Sequence, residues 1–234
     1  MLHILWISYK QIGMRKSSLQ IDRRGFIKTS TTLTAGLAGF SLFPLQACSM
    51  DNADEGINVI GPKEGFSPQI GTLVSMMNWM RMAILQPVHN MTIDQLDYLH
   101  DAKANTIGAM LLHLAATEKY YQLHTFEGMK WGTWDDSINK QWQIPSRLGE
   151  DARKNIKGNN LEFYLNTLKE VRDKSIEEFK KRDDAWLMKV DKEWPWGPTN
   201  NYCKWFHVCE HESNHNGQIK WIQSRLPGAK ASGE

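Results

Sequence analysis

The stretch "WFHVCEHESNHNGQI", residues 205–219, places His207, His211 and His215 four residues apart. On an α-helix that spacing turns successive side chains by about 40° and stacks them on one face. Two H-x-x-x-H pairs result, each able to hold one metal ion, and neutral imidazole suits Zn, Ni or Fe. All three cannot easily share an ion, because His207 and His215 lie about 12 Å apart at about 1.5 Å rise per residue. A further ligand must therefore come from elsewhere in the chain.

HESNH also matches the H-E-x-x-H zinc-protease motif, with Glu212 as general base. That reading is the weakest of those open. Only 19 residues follow His215, and their sole carboxylate is the terminal Glu234. No further histidine follows, and no strand offers a substrate an edge. Glu212 lies about 100° around the helix from His211, off the metal-facing line, which suits a surface or interhelix ion pair. Upstream, His113 sits in "NTIGAMLLHLAATEKYY", in the middle of an apolar helix face. A buried histidine needs a partner, and a metal shared with the last helix would be one. Three protein ligands with open positions is the catalytic rather than the structural pattern.

The rest of the chain reads as helices that can supply such a facing surface. Ser67-Pro68 opens the first, which is expected to stop at Pro87. Thr92 with Gln95 three residues on forms a capping box and starts a second segment reaching about Thr125, with a break open near Asn105. Residues 127–159 form a connection too long to be plain loop, with a short helix expected over 148–156. A third long helix spans about 160–182, with Phe163, Tyr164, Leu168, Val171 and Phe179 as its apolar members. The histidine helix starts near 199–202 and runs to about Ser224. No stretch shows sustained period-2 alternation. The fold class is therefore all-α, a four-helix bundle with a long second-to-third connection. Ten Trp and eleven Met fit a well-filled core.

Charge separates the N-terminus from the rest. Of 28 Lys/Arg and 26 Asp/Glu in the chain, six and one fall in residues 1–48, which leaves 22 and 25 in the remainder, a net of −3. A mildly acidic body without a basic run argues against nucleic acid as a partner. Residues 1–48 read as an address: Arg23-Arg24-Gly25-Phe26-Ile27-Lys28, then an uncharged stretch, then Leu45-Gln46-Ala47-Cys48. The first string resembles a twin-arginine export signal and the last a lipobox. The resemblance implies lipidation of Cys48 and an exported, membrane-tethered protein on the periplasmic or cell-envelope side. Met14, followed by Arg15 and Lys16, is an alternative start to Met1. Residues 49–66 read as a flexible tether, and 67–228 as the helical domain.

"NTIGAMLLHLAATE", followed about a hundred residues later by "HVCEHESNHNGQI", resembles the DinB/YfiT-like metalloenzymes. The strings "DDAWL", "WFHVCEHE" and "RLPG" resemble one bacterial branch, and the likeness covers about residues 67–227. It implies a four-helix bundle that holds a divalent metal through His113 of the second helix and His211 and His215 of the last. It also implies a small-molecule substrate, with hydrolysis or thiol S-transfer as the reaction; a homodimer stays open. The alternative from another class is a metal- or ligand-binding lipoprotein without turnover. His207, one turn before His211, is expected to line the pocket rather than bind metal. Gln218, three residues after His215, is placed to orient that ligand or a bound water. Glu118 reads as bundle support, and His89, His100 and His124 as ordinary residues near helix ends. Cys203 and Cys209 read as separate packing thiols. Trp131, Trp134, Trp142, Trp194 and Trp196 either roof a pocket or cap the bundle ends.

Overall fold

The computed structural model describes residues 56–229. Arg23 and Arg24, expected to belong to an export signal, and Cys48, expected to carry a lipid, lie outside them. The regular structure of the described part is almost all helix: α1 (Pro68–Val88), α2 (Ile93–Leu96), α3 (Ile107–Thr125), α4 (Asp136–Arg147), α5 (Gly149–Asn155), α6 (Leu161–Phe179), α7 (Asp184–Met188) and α8 (Asn201–Gln223). Four long helices, α1, α3, α6 and α8, make the bundle. α1 packs on α8, and α3 packs on α6, α8 and the connecting helix α4. Because α3 has neighbours on three sides, most of its residues are buried, Glu118 and Gln122 included.

Helix starts follow the capping signals. Thr92, Thr106, Asn160 and Asn200 each accept from the backbone N–H three residues on, which satisfies one of the unpaired donors there. The cap on α1 is remote: Asp184 of α7 accepts from Ser67 Oγ at 2.5 Å and from the Gln69 N–H at 3.1 Å. A carboxylate at that end also suits the helix dipole.

Several boundaries differ from expectation, each for a physical reason. α1 continues through Pro87 to Val88, because Ile84 and Val88 are fully buried and hold the last turn in place. The freed Pro87 carbonyl accepts from Gln223 Nε2 at 2.9 Å. The second segment is two helices, since Asp101 closes a side-chain turn on the Lys103 and Ala104 N–H groups before Thr106 restarts the helix. The long connection holds two helices, α4 as well as the short α5. On α6 the buried face is Tyr164, Leu168, Val171 and Phe179, whereas Phe163 is exposed. A two-residue antiparallel ladder, β1 (Val190–Asp191) with β2 (Thr199–Asn200), closes the Trp/Pro loop before α8.

Residues 61–66, at the end of the stretch read as a tether, lie along α1. The Gly61 N–H donates to Ser75 Oγ at 3.1 Å, and a Cβ on Gly71 would sit 2.4 Å from the Lys63 backbone nitrogen. Glycine at 71 is what lets the strand of chain approach the helix so closely.

The core is polar at its centre. Glu118 of α3 and Glu212 of α8 meet Arg81 of α1 and Arg172 of α6, all at or near full burial. Glu118 accepts from Arg172 Nε at 2.8 Å, Arg81 Nη2 at 2.9 Å and Ser175 Oγ at 2.7 Å. Arg81 and Arg172 also donate to the Leu168 and Met77 carbonyls, both at 2.8 Å. One charged residue from each bundle helix converges here, and the four charges sum to zero. Burial by itself pushes the Glu118 carboxyl up, but the Arg172 and Arg81 charges outweigh it and hold the group below its usual range. The arrangement ties the four helices into one register, the use to which buried polar groups are best suited.

Candidate metal centre

His113 lies mid-way along α3, and His211 and His215 lie one turn apart on α8. Their ring centroids are 4.8–4.9 Å from one another. One ligating nitrogen from each falls within 4.8 Å of the other two. This is the trio expected from sequence, brought together by the packing of α3 on α8.

Ring orientation is set by a carbonyl on the connecting helix. His113 Nδ1–H donates to the Pro145 carbonyl at 2.9 Å. That carbonyl is free because α4 ends at Arg147, and the last carbonyls of a helix lack intrahelical partners. The corner beyond it sits on Leu148, with φ 54° and ψ −149°, a strained region for a residue with a side chain. Gly149 N–H donating to Asn105 Oδ1 at 3.1 Å ties that corner to the loop before α3. With its proton on Nδ1, His113 presents a lone pair from Nε2, 2.7 Å from His211 Nε2. Two nitrogens each about 2.0–2.1 Å from one zinc-like ion lie about 3.0–3.4 Å apart, so the pair need open by less than about 1 Å.

Two further observations fit a cation. His215 Nδ1 is buried with no hydrogen-bond partner, an arrangement that costs free energy unless something else occupies the site. The three rings are also held neutral. Burial, then the neighbouring His113 and His215, pull His211 down to about 3, and burial with His113 pulls His215 down to about 4. Burial likewise lowers His113, against the Pro145 hydrogen bond. Neutral imidazole is the ligating form, so at neutral pH all three have a lone pair to give.

The other expected residues separate into distinct roles. His207 is not in the trio; its ring lies 5.3 Å from that of His211, and Nδ1 shares a 2.9 Å hydrogen bond with the Tyr121 hydroxyl. Gln218 is exposed beside His215 and favours its protonated form. Its amide also donates to Asn214 Oδ1 at 3.1 Å. Glu212 turns away from the trio into the central ion cluster, where Oε1 accepts from Arg81 Nη2 at 2.6 Å and Arg172 Nη2 at 2.9 Å. A fully buried carboxylate held by two guanidinium groups cannot serve a substrate as general base, so the protease reading of HESNH fails on this geometry. Cys203 is exposed and Cys209 buried, both free thiols.

A cavity lies beside the turn of α8 that carries His215, and an aromatic wall packs on His207, one turn before His211. This cavity of about 590 Å³ opens one helical turn from the trio, lined among others by Asn105, Met110, Asn214, Gln218 and Trp221. Towards the other end of α3, Trp131, Trp194 and Tyr121 pack together, with Trp134 stacked on Tyr120. Trp196 meets His207 edge-on at 5.0 Å. Four of the five tryptophans thus build this wall, whereas Trp142 lies on α4 and is buried against the core. His124, expected to be ordinary, helps lock the wall. Lys204 is buried, donates to Asp191 Oδ2 at 2.8 Å and His124 Nε2 at 2.9 Å, and sits 4.5 Å over the Trp194 ring. Sequence reasoning missed Arg81, Arg172, Lys204 and Pro145; none carries a motif, and only the packing reveals them.

A four-helix bundle with a three-histidine cluster between its second and fourth long helices defines a DinB/YfiT-like protein, a group whose members bind divalent metals. Within it, the family model described as Mycothiol-S-transferase matches residues 72–228, and the chain belongs to that family. Among solved structures, the chain is similar to the conserved protein of a locus from Enterococcus faecalis, with a TM-score of 0.50 and 11% identity. That match covers 65% of this chain and 93% of the other, and it supports the fold alone. No curated protein matches the chain.

Proposed function

We propose that the protein is a divalent-metal-dependent enzyme of the thiol S-transfer type, acting on a small molecule, with His113, His211 and His215 as metal ligands. The observation that carries the reading is the convergence of three neutral imidazoles, one of them locked by the Pro145 carbonyl. Family membership supports S-transfer over hydrolysis, which stays as the second reaction class. When bound, a divalent ion supplies the positive charge that acidifies a thiol or a water. The chain's own residues do the rest. Pro145 fixes the His113 tautomer. The Asn214 and Gln218 amides offer hydrogen bonds to a polar substrate in the adjoining cavity. The tryptophan wall limits water on the other side. The cavity next to Asn214 and Gln218 offers room for a substrate one turn from the trio. The twin-arginine string and Cys48 support export and a lipid anchor, which would place this chemistry at the cell envelope.

Metal analysis of the purified protein and of His113→Ala tests the reading, followed by screens for thiol transfer and for ester or amide hydrolysis. Near-stoichiometric metal, lost in His113→Ala together with turnover, is expected. Absence of metal, with His113→Ala behaving as wild type, would sink the three-helix site. Metal retained with turnover in neither screen favours the binding protein without catalysis.

A further inference from the structure

We propose that the outer face of α1 and α8 is a membrane-contact surface, which lays the domain flat on the bilayer; this rests on the proposed lipid anchor at Cys48. Between the two helices runs a groove of about 490 Å³, lined chiefly by Ile60, Met76, Trp79, Met80, Phe206 and Cys209. Half of the Phe206 surface is open, at 53%, and Trp79 is 38% exposed. Isolated exposed apolar residues need no explanation, but a contiguous groove of them does. The chain leading into the domain extends the same face. Trp79 Nε1 donates to Asn58 Oδ1 at 3.3 Å, and Gly61 is hydrogen-bonded to Ser75. Ile57, Val59 and Ile60 therefore stand exposed at the groove's edge.

The length of chain before this segment says what covers it. Gly56 is eight positions after Cys48, and at about 3.4 Å per position that span reaches no more than about 27 Å. A lipid on Cys48 thus keeps the apolar face within a short span of the bilayer surface at all times. Trp with neighbouring aliphatic side chains is suited to the headgroup boundary. Among the described residues no Lys or Arg lines the groove, its one charged member being Glu210, and Asp51, Asp54 and Glu55 precede it in the chain. Contact is then driven by apolar insertion, with little attraction to anionic lipid.

The test uses the full processed protein in phosphatidylcholine vesicles whose acyl chains carry bromine near the headgroup, which quenches tryptophan only at the membrane. Wild type is expected to be quenched, and Trp79→Phe to lose that quenched component. The quenching should persist in high salt and change little when anionic phosphatidylglycerol is added. Ile60→Asp/Phe206→Asp should abolish it while helical content and metal content stay at wild-type values. Equal quenching in wild type and Trp79→Phe overturns the proposal. So does an unquenched Trp79 in a vesicle-bound dimer that Ile60→Asp/Phe206→Asp dissociates, which assigns the face to a second copy of the chain. The mass of the Cys48 peptide is read separately: an unmodified cysteine removes the anchor reading, and the quenching still decides the face. Neither readout depends on turnover, so failure of the S-transfer reading leaves the result intact.

Discussion

Glu212→Ala separates the two meanings of the HESNH motif. Glu212 Oε1 accepts three N–H groups, Arg81 Nε at 3.0 Å, Arg81 Nη2 at 2.6 Å and Arg172 Nη2 at 2.9 Å. The side chains of the cluster are no more than 9% exposed. Removing Glu212 leaves two guanidinium groups facing one carboxylate, a net positive charge in the middle of the bundle. Breaking a buried ion pair by removing one partner costs about 3–5 kcal/mol. In a domain of this size each kcal/mol lowers Tm by about 2–4 °C, so the midpoint should fall by about 6–20 °C. The assay is thermal unfolding followed by circular dichroism, with urea unfolding to show a lower midpoint at unchanged slope and metal analysis on the folded fraction. Metal content per folded molecule should remain at the wild-type value, because Glu212 faces away from the trio. A Tm within about 2 °C of wild type, with turnover lost, would refute the structural role and restore a catalytic one.

Three further outcomes follow from the same geometry. His211 and His215 are depressed to about 3 and about 4 from 6.5, so the unfolded chain takes up protons first and metal-free protein should lose stability as pH falls below 6.5, the loss levelling off near the folded values; urea midpoints between pH 7 and 4 that do not move would contradict this. Added zinc should raise the Tm of wild type by mass action, by about 2.7 kcal/mol of stability at a hundredfold excess over Kd, and should leave His113→Ala much less affected in the same melt. A Cβ at Gly108 would sit 2.6 Å from the Tyr164 hydroxyl, so Gly108→Ala should destabilise by about 1–3 kcal/mol through overpacking, read as a lower urea midpoint; a neutral or stabilised variant would mean the α3–α6 contact is looser than described.

Much of the site was legible because its signals are local. Histidines four apart must share a helix face, and a histidine inside "GAMLLHLAA" must find a buried partner, so His113, His211 and His215 could be grouped before any fold was seen. Helix starts at Thr92, Asn160 and Asn200 carry their own caps and were legible for the same reason. Boundaries held by burial were not: α1 runs through Pro87 because Val88 fits the core, a fact absent from the local sequence. The helix α4 was missed because its polar "DSINKQWQIPSR" has few apolar positions, only Trp142 and Pro145 being buried.

Glu212 shows the limit most plainly. Its place on the helix, about 100° from His211, already argued against service at the metal, and an ion pair was the natural alternative. Its partners come from α1 and α6, some 131 and 40 residues away in the chain, and no spacing rule links residues so far apart. The sequence alone determined an all-α bundle and its three convergent histidines, because helix periodicity and capping are local properties of the chain. Tertiary structure alone decided which carbonyl orients His113, which arginines neutralise Glu118 and Glu212, and which tryptophans wall the site. Those choices depend on which helix faces meet, and that is settled only when the whole core is packed.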